Sequence, residues 1–214
     1  VRLLEQALAV VAPPFCWACG GGARLGEPLC RRCRGRLDWL DPEPVSLAGV
    51  DVWAPVAYEG PARALVHGLK FRGAPGLARP LGAQIVANAP RGLLGGRVAL
   101  VPVPLHPRRA RARGFNQAER LAAAVALRTG AAVVDCLRRG GPGRARQMGR
   151  GRSERLAGVD GRIALKPGMR APARVILVDD VVTTGATLAA CAAALRAAGT
   201  GEVAAVAYAL TPGR

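Results

Sequence analysis

Aromatic residues are scarce. The 214-residue chain carries three Trp, two Tyr and three Phe, 4% of the total, although half of its residues are hydrophobic. The core must therefore be built from Ala, Val and Leu, as in an α/β protein. Acids are also few: 14 Asp and Glu stand against 31 Lys and Arg, a net charge of +17. Lysine is nearly missing, since Lys70 and Lys166 are the only two, so the positive charge is almost all Arg. A surface this basic attracts polyanions such as nucleic acid or a polyphosphate. No apolar run reaches the ~20 residues that span a bilayer, which excludes a helical membrane span. Val1 to Pro14 leans apolar, but Glu5 and Gln6 interrupt it and no small-residue cleavage site follows. It reads as a short amphipathic helix over 1–12 ended by Pro13 and Pro14, not as a signal peptide. A cytoplasmic location is expected. The 28 Gly and 17 Pro follow no fixed period, so repeats and collagen-like tracts are excluded.

Four of the six cysteines lie close together. Cys16 and Cys19 form one C-x₂-C pair, and Cys30 and Cys33 form a second after ten intervening residues. Paired knuckles at this separation point four thiolates at one cation, and a reducing compartment makes Zn²⁺ the expected metal. With no open position the site is structural. Cys136 and Cys191 stand singly in apolar stretches and read as small core residues.

The strongest local pattern is Val175 to Leu188, VILVDDVVTTGATL. Val175, Ile176, Leu177 and Val178 read as a strand buried on both faces. Asp179 and Asp180 follow, then a hydroxyl-and-glycine turn, then an alanine-rich helix over 187–198. A turn entering a helix presents unpaired N–H groups and suits a phosphate. The carboxylates repel phosphate but suit sugar hydroxyls or a hard cation such as Mg²⁺. A ligand with a ribose and a 5′-phosphate satisfies both halves. VILVDDVVTTGAT resembles the phosphoribosyl-pyrophosphate (PRPP) signature of the type I phosphoribosyltransferases. The resemblance implies that Asp179 and Asp180 hold the ribose hydroxyls. It also implies that Asp179, Asp180, Val181, Val182, Thr183, Thr184, Gly185, Ala186 and Thr187 together bind PRPP, with Thr183 to Thr187 around the phosphate.

Along the rest of the chain, residues 38–50 read as a Pro- and Asp-rich linker, 51–60 as a strand, and 62–73 and 76–90 as helices. His67 reads as a surface or packing residue. Lys70 and Arg72 place two cations at a helix end. Residues 97–106 read as a strand that Pro102 and Pro104 end near Val101. Beyond it, PLHPRRARARGFNQAER reads as an extended loop carrying Arg108, Arg109, Arg111 and Arg113, then a helix over 117–128 whose N-terminus makes a second anion site. Residues 131–139 read as a strand and 201–210 as the last one. The glycine-rich, basic stretch after residue 139 reads as a functional loop, an Arg-loaded lid over an anion. The alternation of elements predicts a doubly wound, mostly parallel sheet with the anion features meeting at the strand carboxyl ends.

Nearly the whole chain is similar to the ComF family, the competence-associated proteins of bacterial DNA uptake. The matching marks are the Pro-Pro before the cysteines, Cys16/Cys19/Cys30/Cys33, LKFRG, VPVPLHPRRARARGFNQAERLA, the Gln147 and Arg155 region, and VILVDDVVTTGATL. The resemblance implies a type I phosphoribosyltransferase fold over 47–214, with a small N-terminal helix, a four-cysteine zinc module and a linker over 1–46. It implies structural Zn²⁺, Mg²⁺ with PRPP, and a role with single-stranded DNA and other competence proteins; a homodimer is also considered. On the enzymatic reading, Asp179, Asp180 and Arg113 are the catalytic set, and Lys70, Arg108, Arg109, Arg111 and Arg113 hold pyrophosphate. The acceptor is not identifiable. The competing reading is a non-catalytic PRPP sensor or single-strand DNA grip. A transcriptional regulator is disfavoured because no helix-turn-helix is visible.

Overall fold

The computed structural model describes residues 15–71, 74–140 and 163–212. The helix expected over 1–12, Arg72 and Gly73, and the basic stretch 141–162 with Gln147 and Arg155 lie outside the described residues, so the lid expectation does too.

A seven-stranded sheet organises the chain. Its strands are β1 (Val45–Leu47), β2 (Val50–Trp53), β3 (Val56–Ala57), β4 (Ala99–Pro102), β5 (Ala132–Val133), β8 (Arg174–Val182) and β9 (Glu202–Leu210). The order is β1-β2-β9-β8-β4-β5, with β3 also on β9. Only the β1–β2 pair is antiparallel; the other pairs in this sheet are parallel. Central β8 buries Val175, Ile176, Leu177 and Val178 on both faces, as its unbroken apolar run requires. Helices clad both sides. Helices α2 (Gly60–Phe71), α3 (Ala78–Asn88) and α5 (Gln117–Thr129) cover one face, where Leu65, Leu81, Ile85, Leu121 and Val125 meet Ile176, Val178 and Val206. Helix α6 (Ala186–Ala197) covers the other, where Leu188, Cys191 and Leu195 meet Val175, Leu177 and Ala205. This is the mostly parallel α/β architecture that the alternation predicts.

Several boundaries differ from the sequence reading, each for a local reason. Residues 38–50 are not all linker: β1 and β2 form an edge hairpin turned by Ala48 and Gly49, at φ of 50° and 77°. The strand expected over 51–60 breaks at Pro55 into β2 and β3. β8, expected over 174–179, does not stop at Asp179 but runs on through Asp180 to Val182, because β9 is long enough to pair Val182 with Leu210. The Arg-rich segment is not extended. Pro107–Arg113 is a helix, α4, started by His106, whose Nδ1 accepts the Arg108 N–H at 3.2 Å, and ended by Gly114 in the left-handed conformation. The strand expected over 131–139 splits after Val133. Its second half, β6 (Leu137–Arg139), leaves the main sheet and pairs antiparallel with β7 (Ile163–Leu165).

The cysteine segment is fused to the first-face core through Cys16, Leu29, Cys33 and Leu37. Its short helix α1 (Arg31–Arg34) holds the second knuckle. Trp17 lies against α2 where Gly68 leaves room: a Cβ there would sit 2.7 Å from the indole.

Candidate functional site

Two adjoining cavities open where β8 and β4 end. The smaller, of about 190 Å³, is walled by Asp179, Asp180, Val181, Thr187, Lys70, Arg109, Arg113, Arg139, Asn116 and Gln117, among others. The larger, of about 750 Å³, is walled by Tyr58, Phe71 and Phe115 together with Lys70, Arg109, Ala112 and Arg113. Lys70, Arg109 and Arg113 therefore face both.

The acids at the floor differ in environment. Asp180 is only 5% exposed, and its Oδ1 accepts an ion pair from Lys70 Nζ at 3.0 Å. Its Oδ2 is buried with no hydrogen-bond partner among the described residues. Asp179 Oδ1 accepts the Asp180 N–H at 2.8 Å. Desolvation, and then the neighbouring Asp180 charge, push the Asp179 carboxyl up to about 7, although its bond to the Asp180 N–H and the Lys70 charge oppose them.

The cations are placed by helix geometry. Arg109 and Arg113 are one turn apart on α4 and face the cavities, whereas Arg108 and Arg111 are exposed and line neither. Arg113 donates from Nη1 to Gln117 Oε1 at 2.9 Å, and its guanidinium lies 4.7 Å from the Phe71 ring centroid. Burial lowers the Arg113 pKa, Asp180 opposes that, and Arg109 adds to it. His67, exposed on α2, sits 4.8 Å from the Phe71 ring, the packing role expected of it.

The turn after β8 is only partly in the cavity. Val181 and Thr187 line it; Val182 is buried in the core; Thr183, Thr184 and Ala186 are exposed outside it. Thr184 Oγ1 accepts the Ala186 N–H at 3.4 Å. Gly185 sits at φ 74° against β1, where a Cβ would lie 2.9 Å from Leu47 Cβ. The helix terminus expected as a second anion site is capped by its own chain, since Asn116 Oδ1 accepts the Ala118 N–H at 3.1 Å. It contributes side chains to the cavity instead.

The cysteine cluster is separate. The four sulfurs of Cys16, Cys19, Cys30 and Cys33 lie within 4.8 Å of one another, with Cys19 and Cys30 at 3.9 Å. Tetrahedral Zn–S bonds of about 2.3 Å place sulfurs about 3.8 Å apart, so this set can hold Zn²⁺. Burial raises the Cys16 thiol, but N–H groups in both knuckles outweigh it and bring it down to about 6. Burial and the three other sulfurs push Cys33 up to about 12. Four thiolates this close need a cation between them. Cys136 and Cys191 are buried, and burial raises both thiols, Cys191 to about 12, so they are inert packing groups.

Over 88 residues the chain is 38% identical to the competence protein ComFC of Streptococcus pneumoniae (strain ATCC BAA-255 / R6). Over that span the chain is similar to ComFC. The match takes in 41% of this chain and 37% of ComFC, so it spans little more than a third of that protein's length. It agrees with the ComF resemblance drawn from the motifs. No family model matches the chain. A hypoxanthine phosphoribosyltransferase from Staphylococcus aureus has a crystal structure similar over 64% of this chain and 62% of its own, at 14% identity and a TM-score of 0.34. Among the described residues no helix is long and apolar enough to cross a membrane.

The residue that the sequence motifs do not single out is Gln117. It is 3% exposed, it walls the small cavity, and its Nε2 has no partner among the described residues. The signal available was slight: a helix-starting Asn followed by an amide where an exposed residue is usual. Tyr58 and Phe71 were missed as cavity residues because each arrives from a separate element.

Proposed function

We propose that the chain is a phosphoribosyltransferase-like protein that binds PRPP with Mg²⁺ in the small cavity and serves the handling of single-stranded DNA in competence. The observation behind this reading is the meeting of Asp179, Asp180 and Thr187 with Lys70, Arg109 and Arg113 around 190 Å³, a space suited to a sugar ring. Bound PRPP would bring an activated ribose carbon and a pyrophosphate leaving group. Asp179 and Asp180 fit hydroxyls or the hard cation, and the free Oδ2 of Asp180 fits such a partner. Arg109, Arg113 and Lys70 offset anionic charge where the leaving group departs. Arg139 walls the same cavity. Zn²⁺ in the cysteine cluster is structural.

Titration calorimetry with PRPP and Mg²⁺ tests this, comparing wild type with Asp179→Ala and Asp180→Ala. Binding by wild type and its loss in both variants is expected; equal affinity in all three overturns the reading. Turnover is tested by pyrophosphate release with a panel of acceptors.

One observation favours the DNA-binding side of this reading. Phe71 is 61% exposed with Arg113 stacked on it, and Tyr58 and Phe115 share its cavity. Aromatic faces beside cations suit bases and backbone phosphates of a single strand. Affinity should fall steeply with salt, and a salt-independent affinity contradicts it.

A further inference from the structure

Two residues that wall the small cavity each carry an orphaned polar atom, and the two atoms are of opposite character. Asp180 Oδ2 is an acceptor and Gln117 Nε2 a donor, and both are buried without partners among the described residues. The Gln117 amide is not free to turn and exchange its ends, because Arg113 Nη1 already donates to Oε1 at 2.9 Å. Lys70 likewise occupies the other Asp180 oxygen. Each residue thus keeps one polar atom unpaired, an acceptor on Asp180 and a donor on Gln117, while both residues wall the same cavity.

A hydroxyl answers both needs, because it donates one hydrogen and accepts another. A phosphate oxygen accepts from Gln117 but sets an anion against Asp180. An ammonium donates to Asp180 but leaves the amide N–H without an acceptor. We infer that Gln117 is a specificity-determining residue that, with Asp180, reads one ring hydroxyl of the sugar and so separates ribose from deoxyribose ligands. The inference rests on the phosphoribosyl reading of the cavity. A deoxy sugar leaves both buried groups unpaired, which is the situation in which hydrogen-bonding sites reject an analogue most strongly. A chain that meets both sugar phosphates and deoxyribose polymers gains from that separation: the small cavity stays closed to DNA sugars while its neighbour faces them.

The test uses the full chain, zinc-loaded, with ribose 5-phosphate, 2-deoxyribose 5-phosphate and 3-deoxyribose 5-phosphate as probes, on wild type, Gln117→Leu, Gln117→Glu and Asp180→Ala. Gln117→Glu keeps an acceptor for Arg113 but removes the donor, so it controls for loss of the Arg113 contact. Wild type is expected to prefer ribose 5-phosphate over one deoxy analogue by about tenfold or more. Both Gln117 variants should shrink that ratio to within about threefold while melting as wild type does. An unchanged ratio in the folded variants, or no preference in wild type, overturns the inference. A variant that loses all three sugars equally assigns Gln117 to holding Arg113 alone and also overturns it. If wild type binds neither PRPP nor ribose 5-phosphate, the functional reading falls with it. If wild type binds both but does not tell ribose from either deoxyribose, the inference on Gln117 fails while the functional reading stands.

Discussion

Replacing Gly185 by alanine isolates the contact that holds the turn after β8 in place. Two costs add. The residue sits at φ 74°, where an L side chain is disfavoured by about 1–2 kcal/mol. Its new Cβ would also meet Leu47 Cβ at 2.9 Å and the Leu47 carbonyl oxygen at 3.2 Å. Overpacking of this kind costs about 1–3 kcal/mol. Alanine also loses less chain entropy on folding than glycine, which returns about 0.5 kcal/mol. The expected net destabilisation is about 2–4 kcal/mol. Gly130 supplies the control, since it has nearly the same φ, 73°, with no atom within 4 Å of a built Cβ. Gly130→Ala should therefore cost about 1 kcal/mol, from the backbone alone. Urea unfolding of both zinc-loaded variants, with slopes compared to confirm a common transition, gives the difference. Leu47→Gly has its own packing cost, so the contact is read from a double-mutant cycle: the cost of Leu47→Gly should be about 1 kcal/mol smaller in Gly185→Ala than in wild type, because the nearer atom is gone while the carbonyl contact stays. If Gly185→Ala costs no more than Gly130→Ala, the packing of β1 over the turn is not what fixes that glycine.

Three further outcomes are expected. Cys30→Ser should lower bound zinc, measured by metal analysis, and cut thermal stability, whereas Cys136→Ser should leave the metal content at one per chain. The Asp179 carboxyl, raised to about 7 from 3.8, binds a proton in the folded chain that the unfolded chain has lost. Its contribution to stability is full below about 3.8 and is lost as pH rises through about 7, so Asp179→Asn should flatten the fall in stability between those limits in a pH series of urea midpoints. Lys70→Met leaves Asp180 buried beside no cation at 3.0 Å and should cost about 2–3 kcal/mol, with part restored in Lys70→Met/Asp180→Asn; an additive double variant would show that the pair is not coupled.

The parts legible in the sequence are those written in neighbouring residues. Val175 to Val178 announce a buried central strand because four apolar residues need cover on both faces. The two knuckles announce a four-sulfur cluster because each turn fixes its own pair. Helix α4 was hidden because Pro107–Arg113 carries no apolar stripe to bury; its start and stop residues, His106 and Gly114, make it a helix. The strand at 131–139 looked continuous because its composition is uniform, while only half of it finds a partner in the main sheet. Leu47 over Gly185, Lys70 on Asp180 and Arg113 on Gln117 depend on which elements become neighbours in space. In the Lys70 and Leu47 cases more than a hundred residues intervene, so no local pattern holds them.

Lys70, Arg109 and Arg113 stand in the wall common to both cavities. Any anion drawn to them from one side weakens the field offered to the other. Two anionic occupants must then antagonise each other, and thermodynamic reciprocity makes the penalty equal in both directions. On the proposed reading, departure of pyrophosphate would free that charge for a strand of nucleic acid, and these three side chains would set the order in which the two chambers fill and empty.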